Sequence, residues 1–187
     1  MRIAIFGGSF DPIHIAHVMI VRKALKELDI DMLIIVPTYL NPFKNSFYLN
    51  PQTRFKLLKK VFKKFDKIQL CDYEINQKKA SYSIDTVNYL KNLYKPSKIY
   101  FIIGEDNLES LDKWYKIDKL RSLVEFVVAS RKGFESKKAK EFKNLDIDID
   151  ISSTSLRDRI DFNYIPIEIK DDILNIKEKG KSFWILD

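Results

Sequence analysis

The chain has 187 residues, 45% of them hydrophobic and 32% charged, with a formal net charge of +7. That balance argues for a globular protein with a sizeable core and against disorder, and the length fits one domain over 1–187, with room for at most a small appended subdomain. No apolar run approaches the ~18 residues of a membrane span, and Arg2-Ile3-Ala4-Ile5-Phe6 carries no leader pattern, so a cytoplasmic protein is expected.

Short apolar runs alternate with segments of helical period, the pattern of βα units around a mostly parallel sheet. The first strand is expected over Ile3 to Phe6. Behind Gly7-Gly8, the spacing of Val18, Val21, Leu25 and Leu28 predicts an amphipathic helix packed on that sheet. Met32 to Val36 reads as a second buried strand closed by Pro37, and a loop of about a dozen residues follows, Thr38 to Asn50. Asn50-Pro51 predicts an N-cap and first helical residue, with Phe55, Leu58, Phe62 and Phe65 as the apolar stripe.

A third strand over Lys67 to Tyr73 contains Cys71, the lone cysteine, so there is no internal disulfide and the thiol reads as buried and inert. A helix over Ser81 to Tyr94, closed by Pro96, leads to a fourth strand over Lys98 to Ile103 and a fifth over Val124 to Ala129. Leu145, Ile147, Ile149 and Ile151 alternate with polar residues, so the last strand should bury one face and wet the other. It runs into Ser152, and Pro166 to Lys179 predicts a final helix ended by Gly180. The fold class is thus α/β, an open, mostly parallel twisted sheet with helices on both faces. Ligands of such sheets bind beyond the carboxyl ends of the strands, where every unusual cluster of this chain falls.

Gly7-Gly8-Ser9 stands between a strand and a helix, where glycine backbone and free amides let a phosphate approach, although such a turn needs no ligand. Neither the dinucleotide fingerprint nor the P-loop is present. His14 and His17 are the only two histidines, three apart at a helix start, so both rings can face the glycine turn. A zinc set lacks its further ligands, with Asp11 alone nearby, and donation to phosphate oxygens fits the pair better. Ser152-Ser153-Thr154-Ser155-Leu156-Arg157 offers hydroxyls that cap a helix or, with the guanidinium, form a second anion site. Two anion sites on one sheet edge suggest a polyphosphate. The lysines at 56, 59, 60, 63, 64 and 67 read as a solvated basic face, or as attraction for a small polyanion.

Gly7-Gly8-Ser9-Phe10-Asp11-Pro12-Ile13-His14-Ile15-Ala16-His17 resembles the G-G-[ST]-F-D-P-x-H-x-G-H motif of the nucleotidyltransferase superfamily, and Ile151 to Arg157 resembles its I-S-[ST]-T-x-[IL]-R. Motif order and spacing fit across the whole chain, with the resemblance closest to the bacterial nicotinate-nucleotide adenylyltransferases. Ser81 to Thr86 is similar to their S-Y-T-x-x-T, Gly104-Glu105-Asp106 to their G-x-D and Trp114-Tyr115 to their W-Y pair. The resemblance implies a Rossmann-like enzyme of NAD biosynthesis. Its reaction is attack by the phosphate of nicotinate mononucleotide on the α-phosphorus of ATP, with pyrophosphate leaving.

The resemblance further implies His14, His17 and Arg157 as catalytic groups. Gly7, Gly8, Ser9, Phe10, Asp11, Gly104, Asp106, Ser152, Ser153 and Thr154 join them in holding ATP, with Mg²⁺ carried on the triphosphate and no metal bound by the protein itself. The mononucleotide falls to Lys44, Tyr82, Ser83, Asp106, Trp114, Tyr115 and Arg131, the Trp114 indole stacking on the pyridinium, a cation–π contact of about 0.5–2 kcal/mol. Ala16 replaces the glycine between the histidines and should tighten the adenosine pocket, Asn41-Pro42-Phe43-Lys44 stands for P-P-H-K, and Lys132 departs from R-P-G. The partners expected are small molecules, with neither nucleic acid nor membrane, and a homo-oligomer stays open. Two rival readings are the same chemistry on nicotinamide mononucleotide or phosphopantetheine, and a non-catalytic basic nucleic-acid-binding domain, which leaves the paired histidines unexplained.

Overall fold

The computed structural model describes residues 1–42, 44–131 and 137–178. Among the described residues six strands form one sheet, β1 (Arg2–Gly8), β2 (Met32–Pro37), β3 (Ile68–Leu70), β4 (Lys98–Gly104), β5 (Glu125–Arg131) and β6 (Lys143–Ile147), in the order β3-β2-β1-β4-β5-β6 with every pair parallel. The order reverses direction at β1, so a crevice opens between β1 and β4 at their carboxyl ends. The seven α-helices among the described residues are α1 (Ile15–Glu27), α2 (Pro51–Phe62), α3 (Tyr73–Asn76), α4 (Ser83–Tyr94), α5 (Ile117–Leu123), α6 (Ser153–Asp158) and α7 (Lys170–Glu178). None is long and apolar enough to cross a membrane.

The period of two along each strand sorts the core into two layers. Ala4, Phe6, Leu33, Ile35, Ile102, Val127 and Leu145 face a cluster that takes in Val21 and Ala24 of α1, Leu57, Leu58 and Val61 of α2, Leu156 of α6 and Ile173 of α7. Ile3, Ile5, Ile34, Val36, Phe101, Ile103 and Val128 face the other way, onto Ile84, Val87 and Leu90 of α4 and Ile117 and Leu120 of α5. Both faces of the central strands are therefore apolar, as the near-continuous Ile and Val runs require.

Local signals explain where most elements begin and end. The Asn50 side chain accepts the Thr53 N–H at 2.8 Å, with Pro51 at the first helical position. At the other end of α4, Lys95 turns left-handed (φ 45°) before Pro96. On α2, however, Leu57 rather than Phe55 completes the buried stripe, beside Arg54, and Lys59 lies over the Phe55 ring.

Several expected boundaries shift. The third strand pairs only over Ile68–Leu70, and Tyr73 opens α3 instead of extending the strand. Its second neighbour is missing because β3 is a sheet edge, so nothing holds it extended. The last strand pairs as far as Ile147, opposite Arg131, four residues short of Ile151. The final helix starts later, after a 3₁₀ turn over Ile167–Ile169, and Lys179 and Gly180 lie outside the described residues. Three connecting pieces between β4 and β5, at Glu105–Asn107, Leu111–Lys113 and α5, went unanticipated.

Candidate active site

The loop leaving β1 is folded tightly upon itself. A Cβ at Gly8 would sit 3.2 Å from the Phe10 ring, so only glycine fits without displacing that ring. Phe10 holds a left-handed φ of 48°, at a cost of roughly 1–3 kcal/mol for such a side chain. Packing offsets that cost, for Phe10 is buried edge-on against Phe6 (5.3 Å) and His17 (5.0 Å). The Asp11 carboxylate accepts the backbone N–H groups of Tyr48 and Leu49, each at 2.7 Å, and so ties down the far end of the loop after β2.

His14 is the N-cap of α1 and its N–H donates to His17 Nδ1 at 3.2 Å. The two rings stack with centroids 3.7 Å apart and an interplanar angle of 29°. Because Nδ1 of His17 accepts, the neutral ring carries its proton on Nε2, which makes that nitrogen a donor. Both histidines, and the buried Ala16 between them, line a cleft of about 710 Å³ at the carboxyl edge of the sheet.

Residues 152–157 complete the same wall from the other end of the chain. The Ser152 hydroxyl caps α6 by accepting the Ser155 N–H at 3.0 Å, and the Ser155 side chain answers back to the Ser152 N–H. Ser153 donates to the Pro12 carbonyl (3.0 Å) and Arg157 to the Asp11 carbonyl (2.8 Å) and to Thr154 Oγ1 (2.9 Å). The two motifs are thus joined directly, and Ser152, Ser153 and Thr154 line the cleft beside Gly7, Gly8 and Ser9. Lys44 reaches this wall from the loop after β2. Partial burial, and then the Arg157 guanidinium, push its ammonium below the usual lysine range, while Asp11 pulls the other way.

Across the cleft stand Tyr82 and Ser83 at the start of α4, Gly104 and Asp106 after β4, and the Trp114-Tyr115 pair. The Tyr82 and Tyr115 rings lie 4.6 Å apart and both are about half exposed, at 48% and 47%. The Trp114 indole meets Phe101 edge-on at 6.3 Å. A Cβ at Gly104 would fall onto the Asp106 carboxylate, which accepts from Asn107 Nδ2 at 3.2 Å.

Most of the expected site residues therefore gather in one cleft. Phe10, Asp11 and Arg157 do not line it; they brace the loops from behind. Arg131 closes β5, but its side chain lies outside the described residues, as do Phe43 and Lys132.

Two residues escaped the sequence reading. Arg54 is 1% exposed and its guanidinium donates to four backbone carbonyls, Leu49 (3.0 Å), Ser9 (2.6 Å), Thr38 (2.8 Å) and Tyr39 (2.8 Å). It locks the glycine turn to the long loop. Burial pushes it below the ordinary arginine range and the Asp11 charge partly restores it. A lone charge inside the apolar stripe of α2 was the available signal. Glu74 is the second: it lines the cleft, is 5% exposed and accepts from the Thr86 hydroxyl at 2.6 Å.

Comparison with known proteins agrees with this geometry. The cytidylyltransferase-like family model matches residues 5–159. A probable nicotinate-nucleotide adenylyltransferase of Aliarcobacter butzleri is 68% identical over 182 residues, 97% of this chain and 100% of its own. One of Nitratiruptor is 50% identical over 93% of this chain and 97% of its own. Among solved structures, a Plasmodium falciparum nicotinic acid mononucleotide adenylyltransferase complexed with NaAD superposes with a TM-score of 0.77 at 25% identity, covering 100% of this chain and 99% of that one. The chain belongs to the cytidylyltransferase-like family and, within it, to the nicotinate-nucleotide adenylyltransferases.

Proposed function

We propose that the chain transfers the adenylyl group of ATP to nicotinate mononucleotide. The observation that carries this reading is the joining of the two motifs by Ser153 and Arg157, which brings histidines and hydroxyls together in a cleft that Lys44 and the Tyr82, Trp114 and Tyr115 rings also line. The histidines and hydroxyls suit a triphosphate and the rings an aromatic acceptor with a phosphate in between.

In the reaction, an oxygen of the mononucleotide phosphate forms a bond to the α-phosphorus as the bond to the β-phosphate oxygen breaks. The nucleophile is already ionised at neutral pH, so no general base is required, and His14 and His17 act as donors to the phosphate oxygens where charge develops. Lys44, expected from the resemblance at the mononucleotide, has Arg157 and Asp11 as its leading charged neighbours and so takes the departing pyrophosphate, and Arg157 holds the first loop in register while adding positive field. Phe10, Asp11 and Arg131 complete the reading as supports of the ATP loop and of the acceptor end.

No group of three His, Cys, Asp or Glu side chains suited to a metal gathers among the described residues; in this reading Mg²⁺ would be carried on the triphosphate's own oxygens. Bound there, it would neutralise phosphate charge. The reading takes 1–187 as one nucleotidyltransferase domain working in the cytoplasm on small molecules.

The test is pyrophosphate release from ATP with nicotinate mononucleotide, nicotinamide mononucleotide or phosphopantetheine offered separately. The first should give the highest kcat/KM. A higher value for either of the others would replace the acceptor, and salt-sensitive RNA binding without pyrophosphate release would replace the reading altogether.

A further inference from the structure

On the reading above, the acceptor wall must tell a pyridine carboxylate from a pyridine amide, groups of nearly the same shape. Three buried polar atoms of that wall have no hydrogen-bond partner among the described residues: Glu74 Oε2, Ser81 Oγ and Trp114 Nε1. The hydroxyl and the indole can each donate to an oxygen of either substituent. Glu74 is the group that distinguishes them, because an ionised carboxylate only accepts, as an amide NH₂ requires, whereas a protonated one donates, as a carboxylate requires.

We propose that Glu74 is a specificity-determining residue whose protonation state sets the acceptor preference, admitting the nicotinate carboxylate when neutral and opposing it when charged. Its surroundings make that state adjustable near neutral pH. Burial pushes the carboxyl up to about 7, the Thr86 hydroxyl draws it down and Asp85 on α4 pushes it further up. The remaining ionisable neighbours are the Tyr73 phenol on α3 and the Cys71 thiol behind β3, both themselves raised by burial and by the Glu74 charge. β2, which packs against α3, brings only apolar side chains and no charge. Lys113 and Lys116 are the cations that flank the Trp114-Tyr115 stretch.

The experiment uses the full chain with ATP and Mg²⁺ and measures kcat/KM for nicotinate and nicotinamide mononucleotide from pH 6 to 8.5. The two acceptors share the same phosphate and the same ATP, so those ionisations cancel in the ratio and leave only the pyridine substituent. The nicotinate-to-nicotinamide ratio should fall about ten-fold across the range, with a midpoint near 7. Glu74→Gln should make it independent of pH. Thr86→Val, which removes the hydrogen bond favouring the charged form, should move the midpoint to higher pH. Brisk turnover of nicotinate mononucleotide with a flat wild-type ratio, or a Glu74→Gln variant that keeps the wild-type slope, would overturn the role of Glu74 while leaving the proposed function standing. Preference for phosphopantetheine would overturn both.

Discussion

The wall carrying α1 and α6 is stitched together by hydrogen bonds between segments 141 and 146 residues apart in the chain. The facing wall, carrying α3, α4 and Trp114-Tyr115, retains three buried polar atoms without partners among the described residues, Glu74 Oε2, Ser81 Oγ and Trp114 Nε1, against Thr38 Oγ1 in the loop that joins the first wall. On the proposed function the first is organised before a nucleotide arrives, so its donors would need no rearrangement when charge develops. The second keeps hydrogen-bonding capacity that only a ligand of the right charge satisfies, which is how polar sites discriminate. Rate and acceptor choice should therefore respond to different residues.

The sharpest way to break that division is His17→Ala. Losing one preorganised donor to the transferring phosphate should lower kcat about 10³-fold, or ~4 kcal/mol, in initial-rate assays with either pyridine acceptor. A loss of only a few-fold would leave the imidazole without its assigned role. Next comes Glu74, whose carboxyl is pushed from 4.5 to about 7 in the folded chain. Between those values the folded state binds the extra proton, so stability should fall as pH rises, by about 3 kcal/mol in total. Urea unfolding at pH 5 and pH 8 reads this, and Glu74→Gln should remove most of the difference.

Arg54→Lys should cost about 2 kcal/mol, since an ammonium cannot span the carbonyls that the planar fork reaches. Its thermal unfolding should shift down, and its KM for ATP should rise as the Ser9 and Thr38 backbone loosens. The smallest effect is expected from Ser152→Ala, about 1 kcal/mol of stability for a lost helix cap, read by the same unfolding curves.

That the wall of α1 and α6 would form was largely legible in the sequence, because its residues sit in two contiguous motifs that the structure joins. The alternation of apolar runs with helical period likewise located all six strands, since both faces of the central ones are buried. What stayed hidden depends on contacts between segments far apart in the chain. Arg54 interrupts the apolar stripe of α2, but what it holds depends on four carbonyls from two loops. Glu74 lies one residue beyond the expected third strand, in a helical turn that the sequence reading did not foresee, and nothing local marks its burial or its bond to Thr86. Phe10 and Asp11 belong to the motif yet brace it from behind, a division of labour that a linear pattern does not express.

The most direct test of the two-wall account is a matched pair of initial-rate matrices for Lys44→Ala and Trp114→Ala, with each substrate varied against saturating amounts of the other. Lys44→Ala should raise the KM for ATP or lower kcat while leaving the KM for nicotinate mononucleotide within about two-fold. Trp114→Ala should raise the mononucleotide KM about ten-fold, the loss of a cation–π contact and its packing, and leave the KM for ATP nearly unchanged. If both variants weakened both substrates equally, the two walls would not be separate binding surfaces and the account would fail.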